Sequence, residues 1–283
     1  MLSRQLPGNE AFGSKSGHDR KRRRSAMPGL IFEGRTYACE AIVFDKDGTL
    51  FDFLELWGGW ADELLRRIEA ELSNIGASWT PGVELALGVK LGVDGSIVDY
   101  DRAGPLALAT VEEMTGALAW QLYAARLPWH ESVDAVRRSA RAAEERLNGG
   151  RRIRPLPGLA RLLEEARGAG VKLAVATSDS TASAEKHLRS AGLDGLFAAV
   201  CGRDLVREGK PAPDLALEAC RRLGVLPART IVIGDGGADL EMARRAGAAL
   251  AIGIAAGGGP RGHLESADFV IGGYEELQVG AGS

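Results

Sequence analysis

With 283 residues, 45% of them hydrophobic, the chain can build one large domain or two smaller ones, each around its own core. A formal net charge of −3 excludes a general affinity for nucleic acid or anionic membranes. The most apolar uncharged run, "AGAALAIGIAAGGG", is too short and glycine-rich to cross a bilayer. Cys39, Cys201 and Cys220 are odd in number and widely spaced, which excludes a disulfide framework and suits a reducing, cytoplasmic compartment. The N-terminus lacks the apolar segment of a secretory signal.

Residues 1–36 read as a disordered basic extension. The first thirty carry seven Lys/Arg and two Asp/Glu, about +5, which leaves about −8 for the remainder. "KRRR" could serve as an address or touch nucleic acid. A solvated tail, or sequence upstream of a start at Met27, explains it as well, because short basic runs are weak signals.

Five apolar runs of strand length follow: "CEAIVFD" (39–45), "VKLAVATS" (171–178), "FAAVCG" (197–202), "TIVIGD" (230–235) and "AALAIGI" (248–254), with a weaker sixth, "DFVIGG" (268–273). They are continuous rather than alternating, as strands buried on both faces of a parallel sheet are. Helical patterns lie between them at 157–170, 180–193 and 238–248, with Pro, Ser/Thr or Asp at their starts and Gly near their ends. The alternation predicts a doubly wound, Rossmann-like α/β sheet over 37–52 and 154–283. It is broken once, between the first strand and residue 153. "ELWGGWADELLRRIEAELSNIG", "VEEMTGALAWQLYAARL" and "SVDAVRRSARAAEERL" are helical there, and "GSIVDYD" is the one strand-like stretch. Residues 53–153 are therefore expected to form a helical cap inserted after the first strand. Trp57, Trp60, Trp120 and Trp129 are expected to pack it, and His18, His130, His187 and His263 show no paired spacing that suggests a ligand role.

Ligands of open α/β sheets bind at the carboxyl ends of the strands. Asp45 and Asp47 follow the first strand, Thr177 and Ser178 end the second, Lys210 follows the third, and Asp235 ends the fourth with Asp239 four residues on. Four carboxylates converging on one crevice repel one another. A hard divalent cation with oxygen ligands resolves this, and Mg²⁺ is the natural candidate. Taken alone, Asp45 to Gly48 could be an ordinary Asp-Gly turn, Lys210 a surface lysine and Asp239 a helix cap.

Together these residues resemble the motifs of the haloacid dehalogenase-like phosphohydrolase superfamily: "DKDGT" at 45–49, Thr177 in "LAVATSD", Lys210 in "GKPAPD", and "GDGGAD" at 234–239. The resemblance covers residues 39 to about 275 and is nearest to the phosphoglycolate phosphatases. It implies Asp45 as the nucleophile that forms an aspartyl-phosphate and Asp47 as general acid and base. It also implies Mg²⁺ held by Asp45, the Asp47 carbonyl and Asp235, with Asp239 helping directly or through the other ligands, Thr177 and Ser178 on the phosphoryl oxygens, and Lys210 offsetting charge on Asp45 and the transferring group. Ion-pumping ATPases of the superfamily carry Thr where this chain has Asp47, and its dehalogenases lack the second Asp, so a hydrolytic phosphatase is the expectation. A phosphomutase of the same fold would keep every motif. The fourth motif departs from the usual pattern in having Gly236 and Gly237 where a polar residue commonly follows Gly-Asp.

The cap should set specificity. Arg102, the one cation in "DYDRAGPLALAT", could bind a substrate carboxylate or second anion, and Asp52 and Phe53 on the first linker could also face the substrate. The expected partner is a small phosphorylated metabolite, with neither nucleic acid nor membrane.

Overall fold

The computed structural model describes residues 27–79, 86–147, 153–256 and 261–281. Its central sheet has six parallel strands: β3 (Ala41–Phe44), β6 (Lys172–Ala176), β7 (Ala199–Cys201), β8 (Thr230–Gly234), β9 (Leu250–Ile254) and β10 (Phe269–Ile271), in the order β10-β9-β8-β3-β6-β7. All six apolar runs are strands of this sheet. The chain builds outward on one side of β3, then returns to its other side, so β3 is flanked by β6 and β8 at the switch point of a doubly wound sheet.

Strand parity sorts residues by size. Ile42, Phe44, Leu173, Val175, Ile231, Ile233, Ile252 and Ile254 join one core. Ala41, Val43, Ala174, Ala176, Val232 and Ala251 join another on the opposite face. The bulky face is covered by α5 (Leu159–Gly168) and α6 (Thr181–Ser190). The small-residue face receives α7 (Asp214–Leu223) and α8 (Gly237–Ala246) through Leu215, Ala219, Leu223, Leu240 and Ala243. The sequence reading named no helix at 214–223, although its apolar spacing and the left-handed Gly224 at its end are ordinary helix signals.

The insertion has a separate core. A five-residue π-turn (Leu54–Gly58) leads into α1 (Gly59–Asn74), whose Trp60, Leu64, Ile68 and Leu72 recur every four residues on the buried side. A hairpin of β4 (Val89–Leu91) and β5 (Ile97–Tyr100) follows, where "GSIVDYD" was expected to be extended. Then come the single turn α2 (Pro105–Leu108), α3 (Val111–Ala124) and α4 (Trp129–Leu147). Thr110 and Glu113 cap α3 reciprocally, at 3.2 and 2.7 Å. Arg146 of α4 reaches the buried Glu63 of α1 at 2.7 Å. Trp60 packs this core as expected. Trp120 and Trp129 do not: they are 59% and 48% exposed and form a surface chain of rings with Tyr123.

The sequence reading placed residues 28–36 in a disordered extension, and the structure corrects this. Strands β1 (Pro28–Phe32) and β2 (Arg35–Ala38) pair with each other, and β1 also pairs with β11 (Gln278–Ala281), in a small antiparallel sheet. Phe32 stacks on Phe269 of β10 at 4.2 Å, which ties this sheet to the edge of the large one. Residues 1–26, including "KRRR", lie outside the described residues. All three cysteines are free and buried. No helix among the described residues is long and apolar enough to cross a membrane.

Candidate active site

The sheet register assembles the site. Phe44 lies level with Val175 on one side and Ile233 on the other, so Asp45, Thr177 and Asp235 leave their strands within one residue of the same height. The Asp45 N–H donates to Ile233 O at 2.9 Å, and that of Thr177 to Cys201 O at 3.0 Å, which holds both strand ends in the ladder. Gly48 then turns the chain over the site with φ +85, and a Cβ there would lie 2.0 Å from Asp235 Oδ2. Tyr274, fully buried, donates its hydroxyl hydrogen to Thr49 O at 2.9 Å and fixes the far side of the turn.

Asp45, Asp235 and Asp239 each offer a carboxylate oxygen within 4.8 Å of the others. Lys210, almost wholly buried, hydrogen-bonds Asp45 Oδ1 and lies 2.6 Å from Asp239 Oδ1. Three carboxylates against one ammonium leave two negative charges in a confined space. Burial, then Asp45 and Asp239, push the Asp235 carboxyl well above the ordinary range, with Lys210 and a 3.2 Å hydrogen bond from Thr49 opposing. Asp239 is pushed up to about 6, by burial first and then by Asp45, against the pull of Lys210. Burial depresses Lys210, but Asp239 and Asp45 outweigh it and hold the lysine above its usual value.

The oxygen set fits a hard divalent cation. All donors are carboxylates, and two positive charges would balance the excess. Asp239 Oδ1 is a buried oxygen with no hydrogen-bond donor aligned on it, the Lys210 ammonium being its close neighbour. Asp239 also caps α8: its Oδ2 accepts from the Gly236 N–H at 3.0 Å, so the two uses of this residue coexist. Gly236 itself is extended (φ −115), a conformation open to any residue. The two glycines after Asp235 thus leave the loop in regular geometry.

Asp47 is set apart from this trio. Its Oδ1 accepts from the Lys46 ammonium at 2.5 Å, and its carboxyl is raised by burial, with Lys46 opposing and Asp45 and Asp179 adding. Lys46 has no exposed surface, and it also meets His187 Nδ1 at 3.2 Å and Asp179 Oδ2 at 3.4 Å. Burial and the nearby ammonium push His187 down to about 4, Asp179 opposing, so it is a neutral imidazole whose Nδ1 accepts. The sequence reading passed over Lys46, Asp179 and Tyr274 and gave His187 no ligand role. The one local signal was a lysine between two aspartates at the end of an apolar strand; the other three come close only through the fold.

A crevice of about 50 Å³ joins Asp45, Asp47, Thr177, Ser178, Lys210 and the Asp235–Asp239 loop to a wall from the cap. That wall holds Phe53, stacked on Tyr100 at 4.0 Å, and Arg102, whose guanidinium lies 4.1 Å from the Tyr100 ring centre. Arg102 is brought to the site, but Nη1 is already engaged by Asp99 and, at 2.6 Å, by Tyr100 O. Asp52 is not: it turns away, is exposed, and accepts from the Glu55 N–H at 2.7 Å. A larger cleft of about 950 Å³ runs between the cap helices and α6, past Trp57, Arg141 and Lys186, and touches none of the clustered carboxylates.

Residues 39–247 match the haloacid dehalogenase-like hydrolase family. The chain belongs to that family. Among curated relatives, the protein CbbY (plasmid copy) of Cupriavidus necator is 32% identical over 216 residues, covering 74% of this chain and 75% of that one. A phosphoglycolate phosphatase of Aquifex aeolicus is 33% identical over 101 residues, 36% of this chain and 47% of its own length. A probable phosphatase, IndB, of Dickeya dadantii is 46% identical over 98 residues, 35% and 42%. The matched segment thus spans less than half of two of these three relatives. A putative beta-phosphoglucomutase of Thermotoga maritima shares the fold, with TM-score 0.58 at 23% identity over 84% of this chain and 96% of that one. CbbY of Rhodobacter sphaeroides, solved with xylulose-1,5-bisphosphate, gives 0.52 at 23% over 83% and 95%. These haloacid dehalogenase-like relatives, several named as phosphatases, are consistent with a phosphoric monoester hydrolase.

Proposed function

We propose that this protein hydrolyses small-molecule phosphate monoesters through an aspartyl-phosphate on Asp45, with Mg²⁺ as cofactor. The juxtaposition of Asp45 with Asp235, Asp239 and Lys210 beneath a crevice of a few water volumes carries the reading. At about 50 Å³ the crevice is large enough for a phosphoryl group beside the carboxylates.

In the first step an Asp45 oxygen attacks phosphorus, the bond from phosphorus to the ester oxygen breaks, and Asp47 gives its proton to the departing oxygen. In the second, Asp47 takes a proton from water as that water attacks phosphorus, and the bond to Asp45 breaks. Lys210 offsets charge on Asp45 throughout, and Thr177 and Ser178 donate to the phosphoryl oxygens. Asp45, Asp235, Asp239 and the Asp47 carbonyl would hold Mg²⁺, which supplies charge neutralisation at the phosphoryl group.

Arg102 on the cap wall suits a short substrate with a second anionic group, as in the phosphoglycolate for which one relative is named. The same fold serves proteins titled phosphoglucomutase. A mutase would share Asp45 and the carboxylate cluster, so the two readings are separated by their products. The test is phosphate release from a panel containing phosphoglycolate and several sugar phosphates, with Mg²⁺ or EDTA, for the native chain and Asp45→Asn. Release that needs both Mg²⁺ and Asp45 supports the reading; an isomerised sugar phosphate without release overturns it in favour of a mutase.

A further inference from the structure

The chemistry above gives Lys46 no part, yet its surroundings are among the most elaborate in the molecule. Its side chain is completely buried. Around its ammonium stand Asp47 Oδ1 at 2.5 Å, His187 Nδ1 at 3.2 Å, Asp179 Oδ2 at 3.4 Å and the Trp57 ring with its centre at 5.6 Å. These come from four places: the loop after β3, the loop after β6, helix α6 and the π-turn that opens the cap. Trp57 and His187 also meet edge to face at 6.0 Å, which closes the ring around the ammonium.

Burying an ammonium costs several kcal/mol unless it is well paired, and removing one partner of a buried ion pair costs about 3–5 kcal/mol because the other charge is left uncompensated. Lys46 pairs two carboxylates here, and one of them, Asp47, needs a fixed position to pass a proton. Asp179 Oδ2 is a buried oxygen with no hydrogen-bond donor aligned on it, and Lys46 at 3.4 Å is nearer to it than His187 Nδ1 at 3.8 Å. The ammonium is thus tethered on the side away from Asp47 before it reaches Asp47.

We propose that Lys46 is a positioning residue for Asp47. Clamped by Asp179, His187 and Trp57, its ammonium pins Asp47 Oδ1 and leaves Oδ2, which no described residue bonds, to carry the proton. The role is geometric: it concerns where the carboxylate stands. It rests on the reading of Asp47 as general acid and base, and the experiment separates the two.

The full-length protein is assayed in Mg²⁺ for kcat/KM on an alkyl phosphate, whose leaving oxygen must be protonated, and on 4-nitrophenyl phosphate, whose leaving group departs as the anion. The variants are Lys46→Met, Asp179→Asn, Asp47→Asn and the double variant Lys46→Met/Asp47→Asn. The proposal expects Lys46→Met to lose about 100-fold or more on the alkyl ester, the low end of what a positioned acid–base group contributes, and only a fewfold on the nitrophenyl ester. Asp179→Asn should show the same selective loss, smaller in size, and carries the test if Lys46→Met does not fold. The double variant should lose no more on the alkyl ester than Asp47→Asn alone, because both changes remove one function. Equal losses on the two esters for Lys46→Met and Asp179→Asn, with a selective loss for Asp47→Asn, would mean that Lys46 only supports the fold and would overturn the proposal. Equal losses for Asp47→Asn itself would remove the acid–base reading beneath it.

Discussion

Gly48 shows how tightly single residues constrain the site. Its positive φ and the 2.0 Å approach of Asp235 to a would-be Cβ leave room for glycine alone. Gly48→Ala should therefore displace Asp235 and weaken Mg²⁺ binding in a calorimetric titration; unchanged affinity would show that the carboxylate cluster is not where the cation sits. The raised carboxyls make a second prediction. Asp239 at about 6, and Asp235 above its ordinary range, bind protons more tightly in the folded than in the unfolded chain. Without metal, their contribution therefore favours folding as pH falls through 6 and opposes it above. A cation competes with those protons for the same oxygens. Mg²⁺ should thus raise the melting temperature more at about pH 7.5 than at about pH 5.5, and a pH-independent gain would contradict the metal assignment. The carboxylates, Thr177 and Lys210 were legible because each ends or follows an apolar strand in a short local pattern. The clamp on Lys46 was not, since Asp179 and His187 stand more than 130 residues away in the chain and meet it only in the folded structure.

At the scale of elements, the sheet was legible because strands buried on both faces must be continuously apolar. What the runs did not announce was the division of their residues by size. Ile231 on the bulky face should lose ~2–5 kcal/mol on truncation to Ala through the cavity it leaves. Ala174→Leu on the small-residue face should cost ~1–3 kcal/mol by forcing α7 outward. Urea unfolding of both variants checks this; a harmless Ala174→Leu would mean that α7 is not closely seated. The missed strands β1, β2 and β11 are short and carry Pro, Gly and Arg35; β1 pairs nearby with β2, but its other partner is β11, where Leu30 meets Val279 about 250 residues away. No local pattern encodes such a partner.

At the scale of the molecule, the sheet with a core on each face and the insertion with its own core divide the work: the sheet places the carboxylates, and the cap brings Phe53, Tyr100 and Arg102 over them. The insertion was legible as a hundred residues of helical pattern where a doubly wound fold needs only a short crossover. Which cap residues face the site depends on the β4–β5 hairpin, whose weak signal hid Tyr100. Arg102→Ala should raise KM for a carboxylate-bearing ester such as phosphoglycolate while leaving kcat within a fewfold; no change would place the substrate's second anion elsewhere. The central claim is that Asp45 carries the phosphoryl group, and trapping that group tests it most directly. Asp47→Asn should still accept a phosphoryl group from 4-nitrophenyl phosphate but release it slowly. After acid quench, the account predicts one phosphoryl group on the peptide containing Asp45, in Mg²⁺ and not in EDTA. Steady phosphate release by the native chain, with no phosphorylated peptide from this variant and no loss on Asp45→Asn, would contradict it.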